Sequence, residues 1–329
     1  MSTSPATAVV VTYNSEDHIT ECLAALARAD VLVRMVDNAS TDRTVALVTE
    51  RFPKVDVVVN PVNLGFAAAV NQGLSGIDTD VVLLVNPDCV LPPATVRELV
   101  RTLRTRPEVG VAGPRLRDPA GRVAVSAHPF ESLGSVLASR FGGALLPVAL
   151  RRAFSGADRR RAYDACTGTG TGESVAVDWL SGACLAIRTR LLTEIGGLDE
   201  GYFMYYEDEE LCLQAWRRGS AVVYVPTVEA VHVGGASSDP EVTWPHLYRS
   251  MLRFFARHRR GTFHLVRLAV VLRALIGVVL AGMRRVGRSR ERAGWRGRAW
   301  LEVCRIAVAS TPGPAGQEHR KDLRRPQCT

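Results

Sequence analysis

The sequence predicts an α/β fold, a doubly wound and mostly parallel sheet followed by a helical, basic C-terminal extension. Three observations carry this. Continuous apolar runs of four to six residues recur through the first 115 positions, helical segments with apolar residues at three-and-four spacing separate them, and the charge changes sharply after residue 250.

The runs, apolar or nearly so, are Ala8 to Thr12, Val31 to Val36, Val55 to Val59, Val81 to Val85 and Val109 to Ala112. Apolar on both faces, they suit parallel strands covered by helices on both sides. Between them His18 to Ala29, Thr44 to Phe52, Phe66 to Leu74 and Thr95 to Arg106 read as helices, the second preceded by the cap-rich Asn38-Ala39-Ser40-Thr41-Asp42. This order places a ligand beyond the carboxyl ends of the strands. From about residue 115 the alternation stops, and Arg159-Arg160-Arg161 followed by Thr167 to Gly172 predicts a loop over 156–175, a lid or an acceptor-facing excursion. A strand at Val175 to Leu180, a strand at Ala183 to Ile187, helices around Arg190 to Ile195 and Asp208 to Arg218, and a strand at Ala221 to Val225 complete the pattern.

With 329 residues, 47% of them apolar and 22% charged, the chain can bury a large core, which excludes disordered and collagen-like classes. Seven cysteines, an odd number without a CxxC pair, supply neither a disulfide framework nor a zinc site. A reducing compartment is the simplest reading, and the polar Met1 to Thr7 lacks the marks of a secretory signal, so the catalytic part is expected in the cytosol. Residues 1 to 250 carry a net charge of −6, and residues 251 to 329 one of +14.

Polar residues stand where strands end. Thr12-Tyr13-Asn14, Val36-Asp37-Asn38 and Asn86-Pro87-Asp88 bring an aromatic ring and two carboxylates to one edge. A ring and a carboxylate can stack on a pyrimidine and accept its N–H, and a second carboxylate can hold a divalent metal on a diphosphate. Each carboxylate taken singly also reads as a turn or cap residue. Further along, Asp208 falls at the centre of the apolar face made by Leu211, Cys212, Ala215 and Trp216, with Glu207, Glu209 and Glu210 outside it. A carboxylate pointed inward has its pKa raised toward that of a general base, and the alternative is a helix cap. Trp179 reads equally as an acceptor-stacking ring or a core residue.

Val10-Val11-Thr12-Tyr13-Asn14, Val36 to Asp42, Asn63-Leu64-Gly65-Phe66 with Asn71, Asn86-Pro87-Asp88, and Tyr206-Glu207-Asp208 followed by His232 resemble, in order and spacing over about residues 6 to 260, the inverting family 2 glycosyltransferases with the GT-A fold. The resemblance implies a nucleotide-sugar donor and one displacement that inverts the anomeric centre. It assigns donor binding to Tyr13, Asp37, Gly65, Asn71, Asn86 and Asp88, a Mg²⁺ or Mn²⁺ ion to Asp88 and His232, and the catalytic base to Asp208. Asn86 stands where the family's Asp-x-Asp element begins with Asp, which weakens its direct hold on ribose or metal. On this reading residues 1–115 form the nucleotide-sugar half, 116–260 the acceptor and catalytic half, 261–310 a basic amphipathic extension and 311–329 a disordered tail. Gly113 to Asp118, Trp179 to Cys184 and Gly196-Gly197-Leu198-Asp199 are similar to bacterial rhamnosyltransferases, some of which move L-rhamnose from dTDP-rhamnose to N-acetylglucosaminyl-diphospho-polyprenol.

In His264 to Met283 the longest uncharged stretch is ten residues, short of the roughly 20 a bilayer span needs. Arg267, Arg273, Arg284 and Arg285 share an arc of about 120°, which predicts a basic helix lying on an anionic membrane surface at the inner face of the cell membrane. The plainer alternative packs the apolar face on the catalytic body. Few aromatics interleave with the arginines, so nucleic acid is not an expected partner. Expected partners are a nucleotide sugar and a lipid-linked or amphiphilic acceptor. A soluble enzyme glycosylating a small metabolite and a silent sugar-nucleotide binding module are the alternatives. A processive synthase is excluded on two grounds, the absence of a Gln-x-x-Arg-Trp element and of a full membrane span.

Overall fold

The computed structural model describes residues 6–140, 174–234, 240–284 and 290–312. In chain order the first half runs β1 (Thr7–Thr12), α1 (Ile19–Ala27), β2 (Leu32–Asp37), α2 (Thr44–Arg51), β3 (Asp56–Val59), α3 (Phe66–Leu74), β4 (Val81–Val85), β5 (Cys89–Val90), α4 (Pro93–Thr105) and β6 (Val109–Arg117). There follow β7 (Val123–Ala124), β8 (Ala127–His128), α5 (Leu133–Arg140), β9 (Val175–Ala176), β10 (Trp179–Leu180), β11 (Cys184–Arg188), α6 (Thr189–Ile195), α7 (Glu207–Arg217), β12 (Ala221–His232), α8 (Pro240–His258), α9 (Arg260–Arg284) and α10 (Arg290–Ala309).

The strands assemble in the order β3-β2-β1-β4-β11-β6-β12-β5, with β1 to β4 mutually parallel and β12 parallel to β6. Strand β11 runs antiparallel between β4 and β6, and β5 antiparallel to β12. Apolar residues on both sides of a strand need two cores, and the sheet has them. Ala8 and Val10 face one core with Leu23 of α1 and Leu99 of α4, whereas Val9 and Val11 face another with Val70 of α3 and Cys212 of α7. A third core joins Tyr202, Tyr206 and Leu213 to Phe254, Phe255, Phe263, Val270 and Trp300. It fastens α8, α9 and α10 to the segment leading into α7.

Several elements depart from the sequence expectation. Val175 to Leu180 is two short strands, because the chain turns at Asp178, whose buried carboxylate accepts the Phe130 N–H at 3.0 Å. Strand β9 then pairs with β12, and β10 with β8. Strand β12 reaches His232, and its register with β6 shifts between Val225 and Glu229, around Pro226, which has no N–H to offer. Of the expected 156–175 loop only residues 174 and 175, and of the expected disordered tail only Thr311 and Pro312, lie within the described residues.

The basic helix is also corrected. Helix α9 runs unbroken through Arg267 and Arg273, and over Arg260–Met283 it is long and apolar enough to cross a membrane by length and composition. One such helix among the described residues corrects the expectation of no full-length apolar stretch but does not supply the several spans of a processive synthase, and the Gln-x-x-Arg-Trp element is absent as well. Of the expected outward arc, the side chains of Arg284 and Arg285 lie outside the described residues, and Arg267 and Arg273 do not point outward. Arg267 donates to the Ser310 carbonyl at 3.0 Å and the Arg273 guanidinium lies 4.6 Å from the Trp300 ring centre, so both turn toward α10. Their stems pack while their N–H groups find a carbonyl and a π face. A Cβ at Gly277 would come within 2.5 Å of the Trp300 ring, so glycine permits this close approach of α9 and α10.

If α8 belongs to the cooperative core, Phe255→Ala should lower unfolding free energy by about 3–5 kcal/mol in urea denaturation. A loss below about 1 kcal/mol would separate the helices from it.

Candidate active site

Strand β1 delivers Thr12 and then Tyr13, whose side chain is 53% exposed. At the neighbouring end of β2, Asp37 is fully buried, with Oδ1 accepting the Thr12 hydroxyl at 2.7 Å and the Ser40 hydroxyl, and Oδ2 accepting the Ser40 N–H at 2.8 Å. The adjacent Asn38 donates to the Gly65 carbonyl at 3.1 Å. Gly65 has φ +88°, and a Cβ there would lie 2.7 Å from Phe203. The Phe66 N–H meets the Phe203 carbonyl at 2.7 Å, so the start of α3 is docked on the segment before α7. Asn71 holds that segment from its other end: its amide donates to the Leu198 carbonyl and Glu200 carboxylate, both at 2.9 Å, and accepts the Leu198 N–H at 2.8 Å. Of the expected donor residues, Asn71 is thus engaged in positioning the 198–200 turn.

Beyond β4, Asp88 is buried and Oδ1 lies 3.3 Å from His232 Nε2. The pairing of β5 with the last residues of β12 sets His232 beside Cys89 and so brings the two together. Asp88 Oδ2 accepts the Gly234 N–H at 3.0 Å. Burial raises the pKa of Asp88, but the hydrogen bond and charge of His232 and the Gly234 N–H outweigh it, and the net shift is downward. An ionised carboxylate and an imidazole at one edge suit a divalent ion. Among the described residues no group of three or more His, Cys, Asp or Glu side chains could hold a metal, so this pair would share an ion with ligand oxygens or water.

Asp208 stands in the first turn of α7, with Oδ2 accepting the Gly182 N–H at 2.9 Å and Oδ1 the Glu209 N–H at 2.8 Å. The next residue, Ala183, accepts the Asn86 N–H at 2.9 Å. Gly182-Ala183 therefore touches both the Asn86-Pro87-Asp88 turn and the Asp208 carboxylate, bringing the two expected centres to one site. Gly182 was not among the expected site residues, although it lies in the Trp179 to Cys184 motif.

Asp208 shares its turn with three further carboxylates. Glu209 and Glu210 are 2% and 4% exposed, contrary to the expectation that they lie outside the buried face. The helical wheel registers only the side packed on the sheet, whereas α8 and Glu131 cover the other. Glu209 accepts the Glu131 N–H at 2.7 Å, and burial beside Glu131 pushes its pKa well up. Glu210 pairs with His258 and accepts from Gln214 at 2.8 Å and Tyr202 at 3.2 Å; burial opposes ionisation, but these partners prevail and lower its pKa. Glu207 Oε2 is buried with no hydrogen-bond partner among the described residues, and burial with the neighbouring Asp208 charge pushes its pKa to about 8. Burial also raises Asp208, against its backbone N–H bonds. With those bonds favouring the charged form, Asp208 is the member of the pair that ionises first.

Tyr205 and Tyr206 enter α7 with φ +67° and +70°, a left-handed conformation costly for residues with a Cβ. Packing holds it: Tyr206 lies in the third core, and the Ser250 hydroxyl donates to the Met204 carbonyl at 2.8 Å. Asp199 receives Arg253 at 2.7 Å and also pairs with Arg257, clamping α8 to the same segment. Trp179 stacks on His128 at 4.4 Å and donates to the Pro129 carbonyl at 3.0 Å.

A mostly parallel sheet that brings Tyr13 and Asp37, the Asp88–His232 pair and a half-buried helix-borne carboxylate to one edge suits a glycosyltransferase of the GT-A type. A model of Glycosyl transferase family 2 matches residues 7–154. The chain is 31% identical over 269 residues to N-acetylglucosaminyl-diphospho-decaprenol L-rhamnosyltransferase of Mycobacterium tuberculosis, covering 77% of this chain and 84% of that one. It is 36% identical over 87 residues to Rhamnosyltransferase WbbL of Escherichia coli, covering 25% of this chain and 32% of that one. Its fold is shared with the mannosyltransferase PcManGT of Pyrobaculum calidifontis, solved with GDP-Man and Mn²⁺, at TM-score 0.55 and 17% identity over 92% of this chain and 86% of that one. The chain belongs to glycosyl transferase family 2.

A Glu207 that stays protonated to about pH 8 holds a proton that the unfolded chain, with Glu near 4.3, releases. Its stabilising contribution is complete below the ordinary Glu range and is lost as pH rises through about 8. Thermal unfolding from about pH 5 to about pH 9 should therefore show Tm falling less steeply in Glu207→Gln than in the parent. Equal slopes would contradict a protonated Glu207.

Proposed function

We propose that the enzyme moves L-rhamnose from dTDP-rhamnose to an N-acetylglucosaminyl-diphospho-polyprenol acceptor, with inversion, at the inner face of the cell membrane. The observation that carries the reaction type is the Asp208 carboxylate, half-buried and joined through Gly182-Ala183 to the Asn86 to Asp88 turn. Similarity to the mycobacterial rhamnosyltransferase over 84% of its length supports the choice of donor and acceptor.

In this reading Tyr13 and Asp37 hold the base, and Gly65 and Asn86 line the donor's path to Asp88. The acceptor hydroxyl attacks the anomeric carbon as Asp208 takes its proton, and the bond from that carbon to the diphosphate oxygen breaks with the electron pair leaving on the nucleotide. Asp88 and His232 would hold a Mg²⁺ or Mn²⁺ ion, which stabilises charge on the departing diphosphate. The backbone N–H groups of Gly182 and Glu209 fix the carboxylate's orientation without saturating its four lone-pair sites. Neutral Glu207 beside it avoids a second negative charge in the same pocket.

The test is transfer of labelled rhamnose to a N-acetylglucosaminyl-diphospho-lipid with Mg²⁺ or Mn²⁺. Asp208→Asn should keep donor affinity within about threefold and lose at least about 10³ in kcat. Asp88→Ala should lose metal-dependent turnover. No transfer by the parent from dTDP-rhamnose, or near-normal turnover by Asp208→Asn, would refute the reading.

A further inference from the structure

Helix α9 is apolar on two opposite faces, and the described residues bury only one. Phe263, Val266, Val270 and Ala274 are buried in the third core. On the other side Leu268, Leu272, Leu275, Ile276, Val279 and Met283 are between 49% and 67% exposed. Their three-and-four spacing makes one stripe about 22 Å long. The only charged side chains between Gly261 and Met283 are Arg267 and Arg273, and both are turned to α10, so the stripe carries no charge.

We propose that this stripe docks the enzyme on a lipid bilayer by shallow apolar insertion, with α9 lying in the membrane plane. The proposal rests on the lipid-linked acceptor read above and makes the apolar face, rather than an arc of arginines, the contact. Three observations select a bilayer surface. Residues 251 to 329 carry a net +14, which draws an anionic leaflet and opposes a second copy of the same region. Arg267 on the Ser310 carbonyl, Arg273 over Trp300 and the tight Gly277–Trp300 approach hold the helix against α10, and a crossing by α9 alone would break all three. A crossing would also carry both arginines into hydrocarbon. Interfacial helices sit about 5–10 Å deep, a depth that a half-covered helix can reach. Because Ser250, Arg253 and His258 of α8 bind Met204, Asp199 and Glu210, a docked α9 also sets the height of Asp208 above the lipid.

The experiment is co-sedimentation of the full chain with vesicles of phosphatidylcholine and phosphatidylglycerol, at about 0.1 M and about 1 M NaCl. The parent should bind at both, and Leu268→Gln/Leu272→Gln/Ile276→Gln/Val279→Gln, which changes only exposed positions, should lose at least about tenfold in partitioning. Independently, Ile276→Trp should gain fluorescence that brominated lipid quenches. A parent that stays in the supernatant, a quadruple variant that binds like the parent, or an Ile276→Trp variant whose added fluorescence is not quenched would overturn the proposal. So would a solution dimer split by the four changes with vesicle binding unaltered, which would assign the stripe to a second copy. Transfer to a short-chain, water-soluble acceptor separates the two readings. If the parent transfers but does not dock, docking alone falls; if it docks but transfers to neither acceptor, the glycosyl transfer reading falls.

Discussion

Four consecutive carboxylates in one helical turn cannot be taken out of water unless each charge is either met or removed, and the architecture around α7 answers that constraint residue by residue. Glu210 meets His258, Gln214 and Tyr202; Glu209 takes the Glu131 N–H; Asp208 takes two backbone N–H groups; Glu207 is left to hold its proton. Each solution recruits a different part of the chain. Helix α8 must lie across α7 to supply His258, the segment after β10 must pass close enough to offer Gly182, and the two tyrosines before the helix are held in left-handed backbone to aim it. The result is a carboxylate whose neighbours are neutral or paired, as the proposed role of Asp208 requires.

The same contacts connect the site to the rest of the molecule. Gly182-Ala183 reaches toward β4 and the Asp88–His232 pair, and Phe203 reaches toward Gly65 and α3, so donor-side and acceptor-side elements share two short segments. On the far side α8 passes the position of α7 to α9 and its uncovered apolar stripe. If Asp208 is the base proposed above, these contacts tie its position both to the Asp88–His232 pair and to α9.

Much of the sheet was legible because strands buried on both faces leave a continuous apolar run, so that Val81 to Val85 is found with the expected bounds, as is the helix Phe66 to Leu74 from its three-and-four spacing. Strands β6 and β12 extend past their apolar runs through Gly113-Pro114-Arg115 and Pro226-Thr227, where local preference argues against a strand; pairing of Gly113 to Arg117 with β12, of Leu116 and Arg117 with β7, and of Val231 and His232 with β5 sustains them. Asp208's inward orientation was legible from one helix's periodicity. Burial of Glu209 and Glu210 was not, since their cover comes from α8, and nothing near His258 in the sequence marks it as a partner of Glu210. The meeting of Asp88 with His232 depends on a two-residue strand, β5, too short to leave a periodic signal. Arg267 and Arg273 misled for a similar reason: a wheel shows their arc but not that the Ser310 carbonyl and Trp300 await them.

A single displacement with Asp208 as base requires the transferred sugar to arrive with its anomeric configuration reversed. The one-bond carbon–proton coupling at the anomeric centre, measured by NMR on donor and on the purified glycosylated acceptor, reads this directly. Opposite configurations in the two are the predicted result. The same configuration in both would require two displacements and a nucleophile on the enzyme, and would contradict the role assigned to Asp208.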